Sequence, residues 1–174
     1  MNILKNYLAV VLVAVLMSAC GGGGTKEQAA SKEVAEAPAA ESATAVPDSV
    51  ALVIEGTDNM KFNKDELKVT EGQVVTLTLK HVGSMPKGSM GHNWVLLAAK
   101  ADPAVFGAAA TSAPDTDYIP QDKLDWVIAH TPVIGGGEEA TITFEAPAAG
   151  YYKFICSFPG HWGVMQGDFV VQPK

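Results

Sequence analysis

The chain has 174 residues, 48% hydrophobic and 18% charged, which fits one globular domain with appendages and excludes both two ordinary domains and disorder throughout. Its 19 acids against 12 bases give a formal net charge of −7, and every base is Lys. The absence of Arg, whose planar fork makes bidentate phosphate and base-edge contacts, argues against nucleic-acid binding. Two cysteines, Cys20 and Cys156, sit in such different surroundings that no shared disulfide is expected. A disulfide-stapled scaffold is therefore excluded, and each thiol needs its own explanation.

Residues 1–19 read as an export signal. Lys5 precedes the apolar run 7–17, and the small residues Ser18 and Ala19 lead into Cys20. The run is shorter than the ~20 apolar residues that span a bilayer as a helix. The ending Leu-Met-Ser-Ala-Cys resembles a bacterial lipoprotein signal, with Met17 where Leu is usual. That resemblance implies that Cys20 is lipidated and becomes the mature N-terminus. Gly21, not an acid, follows Cys20, which by the same sorting pattern implies the outer membrane. Each buried CH₂ of the acyl chains would contribute about 0.8 kcal/mol of anchoring.

Residues 20–47 follow as the lipidated Cys20 and a flexible tether. Gly21 to Gly24 form a glycine run, and the stretch to Pro47 is mostly Ala, Glu, Ser, Lys and Val, without aromatics or a 2- or 3.6-residue apolar period. Such a segment cannot bury enough surface to offset its conformational entropy. As a coil it reaches roughly 30 Å.

From residue 48 the texture changes to short β-rich runs. Strands are predicted at 50–55, 66–70, 73–80, 93–97, 126–129, 139–145, 151–156 and 167–172. Val75, Leu77 and Leu79 alternate with Thr76 and Thr78, and Ala140, Ile142 and Phe144 alternate with Thr141 and Thr143. A period of two gives one face to a core and the other to water. Gly and Pro clusters between the runs mark turns. Eight short strands at this spacing predict an all-β sandwich or barrel over 48–174. The Ala-, Asp- and Pro-rich insert 100–124 interrupts the pattern, with a short helix expected at 103–110.

The chemistry lies in Cys156-Ser-Phe-Pro-Gly-His161-Trp-Gly-Val-Met165 and, far upstream, in Gly91-His92-Asn93-Trp94. Thiolate and imidazole suit softer or borderline metals, and a thioether favours copper over zinc. A loop with Cys, His five on and Met four further can wrap three side chains around one ion, with His92 as the fourth ligand from a neighbouring strand. On this reading the metal bridges the two sides of the sandwich. Two His and one Cys with a weak axial Met form the blue-copper electron-transfer set. A lone Cys or Met in such a strand is commonly packing; the joint pattern is what points to copper. His81 and His130 lack ligand spacing and are placed outside the site, as satisfied or surface imidazoles.

Over residues 50–174 the chain resembles the azurins of the cupredoxin family, through segments 56–63, 90–96, 127–131 and 135–138 and through the spacing C-x₄-H-x₃-M. The resemblance implies a Greek-key β-sandwich of about eight strands with one short inserted helix. It implies one copper ion, Cu(II)/Cu(I), on His92, Cys156 and His161, with Met165 axial and the Gly91 carbonyl opposite. Asn93 would tie the two ligand loops, and the backbone around Ser157 and Phe158 would hydrogen-bond the cysteine sulfur. By the same resemblance, His81 matches a position near the copper. Two departures stand out. The positions of the usual disulfide are here Val50 and Gln73, and the large Trp162 follows His161 where a small residue is usual.

Every coordination position of such a site is taken or blocked, whereas a catalytic metal keeps one open. No Ser-His-acid or paired-carboxylate set competes, so no enzyme activity is expected. One-electron transfer remains, with His161 as the exit. Met60, Met85, Met90, Pro159, Trp162 and Val164 would form an apolar docking patch, Trp162 and Met85 being the most exposed. By resemblance, partners would be periplasmic c-type cytochromes and enzymes such as nitrite reductase or cytochrome c peroxidase. The domain would stand in the periplasm, surface exposure being the other arrangement. The alternative is a copper storage or delivery lipoprotein, against which the buried Cys-containing loop argues.

Overall fold

Alternation along β4 (Val74–His81) and β7 (Glu139–Glu145) organises the first sheet. Val75, Leu77 and Leu79 point inward and are fully buried. On the outer face, Thr78 meets Thr141 at 2.8 Å and Thr76 meets Thr143 at 3.4 Å, pairs that support the ladder from outside. The computed structural model describes residues 48–174. The export signal, Cys20 and the tether expected over 1–47 lie outside the described residues.

Among the described residues nine strands form two sheets, in the orders β2-β1-β4-β7 and β3-β9-β8-β5-β6. Besides β4 and β7 they are β1 (Ser49–Thr57), β2 (Lys61–Phe62), β3 (Glu66–Thr70), β5 (Val95–Leu97), β6 (Val127–His130), β8 (Gly150–Ile155) and β9 (Gln166–Gln172). β1 runs parallel to β4, and β3 parallel to β9; the other neighbours pair antiparallel. The ninth strand, β2, is two residues long and pairs only Phe62 with Gly56 and Lys61 with Thr57. So short an edge leaves no run from which a period could be read.

Between the sheets lies a core of Ile54, Leu67, Val69, Val75, Leu77, Leu79, Leu96 and Val171 around Trp94. Trp94 faces Phe144, Phe154 and Phe169 at ring-centroid distances of 5.8, 5.8 and 6.0 Å. Each fully buried aliphatic or aromatic side chain contributes about 1.5–3 kcal/mol relative to exposure. At the positions of the usual disulfide, Val50 packs against this core, and the Gln73 Oε1 accepts the Thr70 N–H at 2.7 Å. The eight-pair parallel register from Ser49↔Val74 to Gly56↔His81 holds the same two strands together.

The expected helix is present as α2 (Pro103–Ala110). Asp102 caps it by accepting the N–H groups of Ala104 and Val105 at 2.8 and 3.2 Å, with Pro103 in the first turn. A one-turn helix α1 (Lys87–Met90) and 3₁₀ turns at Pro114–Thr116 and Gln121–Trp126 were not expected from the sequence; each is too short for a periodic signal. Among the described residues no helix is long and apolar enough to cross a membrane.

Candidate metal centre

β5 and β8 are neighbours in one sheet, and their register sets Val95 opposite Ile155. His92 precedes β5 and Cys156 follows β8, so both side chains emerge at the same end. This corrects the expectation that the metal bridges the two sides of the sandwich: both segments belong to the five-stranded sheet. The other sheet contributes backbone instead. The Thr57 carbonyl, at the end of β1, accepts the His92 Nε2–H at 2.9 Å, which leaves Nδ1 as the lone-pair nitrogen facing the site.

After Cys156 the chain turns back on itself. His161 N–H donates to the Phe158 carbonyl at 3.0 Å, Met165 N–H to the His161 carbonyl at 2.8 Å, and Cys156 N–H to the Met165 carbonyl at 2.9 Å. Gly160, at φ +83°, takes the left-handed conformation that this turn requires. The result brings His161 Nδ1 to 3.6 Å from Cys156 Sγ, with His92 Nδ1 at 3.9 Å. The ligand atoms of the three residues all lie within 4.8 Å of one another. Among the described residues they form the only such cluster of His, Cys, Asp or Glu.

Burial shapes the chemistry. It pushes the Cys156 thiol up to about 12, against the opposing pull of the Asn93 and Phe158 backbone N–H groups on its sulfur. Burial also lowers His161 to about 4, with His92 and His81 adding to the effect, and lowers His92. Both imidazoles are thus neutral at physiological pH, and the thiol gives up its proton only to an ion that replaces it. Two neutral imidazoles and one soft sulfur, closed from water, suit copper.

Met165 is fully buried in one cluster with Cys156, Phe158 and Val133. A Cβ added to Gly56 would lie 2.7 Å from His92 Cδ2 and 3.0 Å from the Met165 Cε, so the thioether methyl and the imidazole adjoin across this glycine. Gly91 is buried, and a Cβ there would lie 2.5 Å from the Lys87 carbonyl oxygen, 2.6 Å from Val133 Cγ1 and 2.9 Å from Phe158 Cε2. Asn93 joins the two ligand segments: its Oδ1 accepts the Ser157 N–H and its Nδ2 donates to Ser157 Oγ, both at 2.8 Å.

His81 is buried, not at the surface. Its Nε2–H donates to the Met90 carbonyl at 2.8 Å and its Nδ1 accepts the Gly83 N–H at 3.1 Å. Its ring stacks on that of His92 at 4.4 Å. His130 is exposed at the end of β6. Around the site Met85 and Val164 are exposed, while Met60, Met90 and Pro159 are half-buried. Trp162 differs from expectation: it is half-buried in a second apolar cluster with Phe106 and Ile119.

Four contributors escaped the sequence reading. Gly56 and Thr57 fall in a segment that resembled the azurins but carried no assigned role. Asp117 and Tyr118, both at positive φ, reach the site from the insert: the Asp117 carbonyl accepts from Asn93 Nδ2 at 2.9 Å, and the Tyr118 carbonyl from Ser157 Oγ at 2.9 Å. Asp117 Oδ1 also accepts the Val133 N–H at 3.0 Å. Only the Asp-Thr-Asp turn chemistry at 115–117 hinted at them.

A β-sandwich with a buried His-Cys-His cluster at one end defines a cupredoxin-type copper site. The family model for copper-binding proteins of the plastocyanin/azurin family matches residues 48–172. Outer membrane protein H.8 of Neisseria meningitidis is 46% identical over 120 residues, covering 67% of this chain and 64% of that protein. Azurin of Pseudomonas fluorescens is 38% identical over 125 residues, covering 70% of this chain and 97% of that protein. The solved structure of auracyanin A, a "blue" copper protein from Chloroflexus aurantiacus, superposes with a TM-score of 0.65 at 38% identity, covering 71% of this chain and 99% of that one. The chain belongs to the plastocyanin/azurin family of copper-binding proteins, and its folded domain is an azurin-like cupredoxin. In that domain His92, Cys156 and His161 are arranged as the family's copper site. The chain spans a little under two thirds of the length of the H.8 proteins it matches.

Proposed function

We propose that the whole protein is a membrane-tethered blue-copper electron carrier. The observation that carries this reading is the enclosure of the His92–Cys156–His161 cluster: all three are buried, and Met165, also buried, packs in one cluster with Cys156. Copper, when bound, supplies the one-electron couple Cu(II)/Cu(I). The protein's part is to hold the ligands in one arrangement. His92 is oriented by Thr57, the Cys156 sulfur accepts backbone N–H groups, and the Asn93–Ser157 pair keeps the two segments together. Such outer contacts orient ligands and tune a metal's potential. In this reading Met165 and the Gly91 carbonyl would hold the ion more weakly than His92, Cys156 and His161.

Electrons would leave through His161 across an apolar patch formed by Met85, Val164, Pro159, Met60 and Met90. A small apolar area suits brief redox encounters. The partners proposed are periplasmic c-type cytochromes, with nitrite reductase or cytochrome c peroxidase as further acceptors or donors. Residues 1–19 would direct export, Cys20 would carry the acyl chains, and 21–47 would tether the domain to the outer membrane on its periplasmic side. The likeness to proteins named for the outer membrane supports that location.

Stopped-flow mixing of the reduced, copper-loaded protein with an oxidised c-type cytochrome tests the function. The blue absorption returns rapidly as the cytochrome is reduced. Copper that binds but exchanges no electrons would instead fit a storage or delivery protein.

A further inference from the structure

The insert between β5 and β6 packs with β5 and β8 around one apolar cluster, and that cluster takes in the neighbours of two ligands, Cys156 and His161. Val95, Leu97, Phe106, Ile119 and Ile155 are buried together, with Trp162 and Trp126 packed against them. Ile155 immediately precedes Cys156, and Trp162 immediately follows His161. Between His161 and Met165 only Trp162 has a side chain turned inward, because Gly163 and Val164 are exposed.

The ring has a seat made for it. Gly107 is buried in α2, among alanines at 104, 108, 109 and 110. A Cβ at 107 would overlap Trp162 Cγ and Cδ1 and would lie 2.9 Å from its Cβ. Gly is unfavourable in a helix interior relative to Ala. Here the missing side chain is the space that Trp162 occupies, so the helix and the loop are matched across a long sequence separation.

We propose that Trp162 is a positioning residue: seated over Gly107, it pins the loop that carries His161 to α2 and so holds the imidazole against Cys156. The proposal rests on copper occupying the His92–Cys156–His161 cluster. The loop is closed at its base by the Ile155↔Gln166 pair of β8 and β9, so loss of the Trp162 seat would loosen its tip, which carries His161, and copper would leave by that route. Trp162 thus resists the departure of the metal, while the adjoining exposed residues Gly163 and Val164 stay free to meet a partner.

The test is a double-mutant cycle in the full chain: Trp162→Ala, Gly107→Ala and both together, with Trp162→Phe as the conservative variant. One readout is the rate of Cu(II) loss to excess chelator, with the copper spectrum recorded before loss. The other is amide hydrogen exchange in the copper-free protein at Val164 and Met165, whose N–H groups donate to the His161 carbonyl at 3.0 and 2.8 Å. Trp162→Ala and Gly107→Ala are each expected to release copper at least ~10-fold faster and to speed exchange at both amides but not in β4. Trp162→Phe should retain most of the wild-type behaviour. In the double variant the added methyl should cost nothing further, because the ring it would strike is gone.

Wild-type release and spectrum in Trp162→Ala would overturn the proposal, even with a lowered melting temperature, since the ring would then be packing alone. An equal cost of Gly107→Ala with and without the ring would also overturn it. If Trp162→Ala does not fold, Gly107→Ala decides the matter by the same two readouts. A wild-type protein that takes up no copper would refute the copper reading instead, and the exchange data from the copper-free protein would still report whether the ring pins the loop.

Discussion

Asn93 and Ser157 exchange two hydrogen bonds, each 2.8 Å long, across segments 64 residues apart, with both residues fully buried. Each stands next to a ligand, Asn93 after His92 and Ser157 after Cys156. The pair couples the positions of one imidazole and the thiolate without touching the ion. Asn93→Ala would leave the Ser157 N–H and the Asp117 carbonyl without their partner. Unfolding of the copper-free protein by denaturant should show a loss of about 3 kcal/mol, given about 1–3 kcal/mol for each buried group left unpaired. Unchanged stability would show that the pair closes around the cavity at no net gain.

Copper uptake should be linked to protons in one direction. At pH 7 the Cys156 thiol, pushed up to about 12, is protonated, and both histidines are neutral. Binding of Cu(II) therefore releases one proton per ion, and affinity falls as pH falls. Calorimetry in buffers of different ionisation enthalpy reads that proton directly.

The copper-free fold should weaken in acid through His161. Its folded value of about 4 lies below the ordinary imidazole value of 6.5, so the unfolded chain binds the proton more tightly. This contribution is absent above pH 6.5 and grows as pH drops toward 4, where it costs about 3 kcal/mol. Denaturant titrations of the copper-free protein at pH 7 and pH 4.5 should differ in this sense, and His161→Gln should reduce the difference.

Gly56→Ala should disturb the site from the opposite sheet. The new methyl would press on His92 Cδ2 and the Met165 Cε, both belonging to the site and both fully buried. Copper affinity, measured by competition with a chelator, should fall ~10-fold, as for other contacts that orient a ligand. The shifted absorption spectrum would locate the effect at the metal.

Two ligand substitutions separate the strong bond from the weak one. Cys156→Ser removes the thiolate and should abolish the intense blue absorption while leaving the sandwich folded. Met165→Gln should keep copper but lower its reduction potential, because the axial donor tunes the couple. An unchanged potential, measured by voltammetry, would show that Met165 is not axial.

Much of this was legible in the sequence because it is local. Alternation in β4 and β7, the boundaries of α2 and the grouping of Cys156, His161 and Met165 all follow from residues near one another along the chain. His92 was legible because its flanking residues resemble a known pattern. What could not be read depends on long-range packing. Thr57 meets His92 only after β1 and β5 are placed, and Asp117 and Tyr118 reach Asn93 and Ser157 only after the insert folds back. The same holds for Trp162, whose apolar bulk suggested an exposed docking ring until Gly107 supplied its seat.

The most direct test of the account is the optical and paramagnetic spectrum of the purified full chain after addition of Cu(II). The account predicts an intense blue absorption from sulfur-to-copper charge transfer, with the narrow copper hyperfine splitting of a thiolate site, at one ion per chain. A colourless solution, or the broad splitting of copper held by nitrogen and oxygen alone, would contradict it.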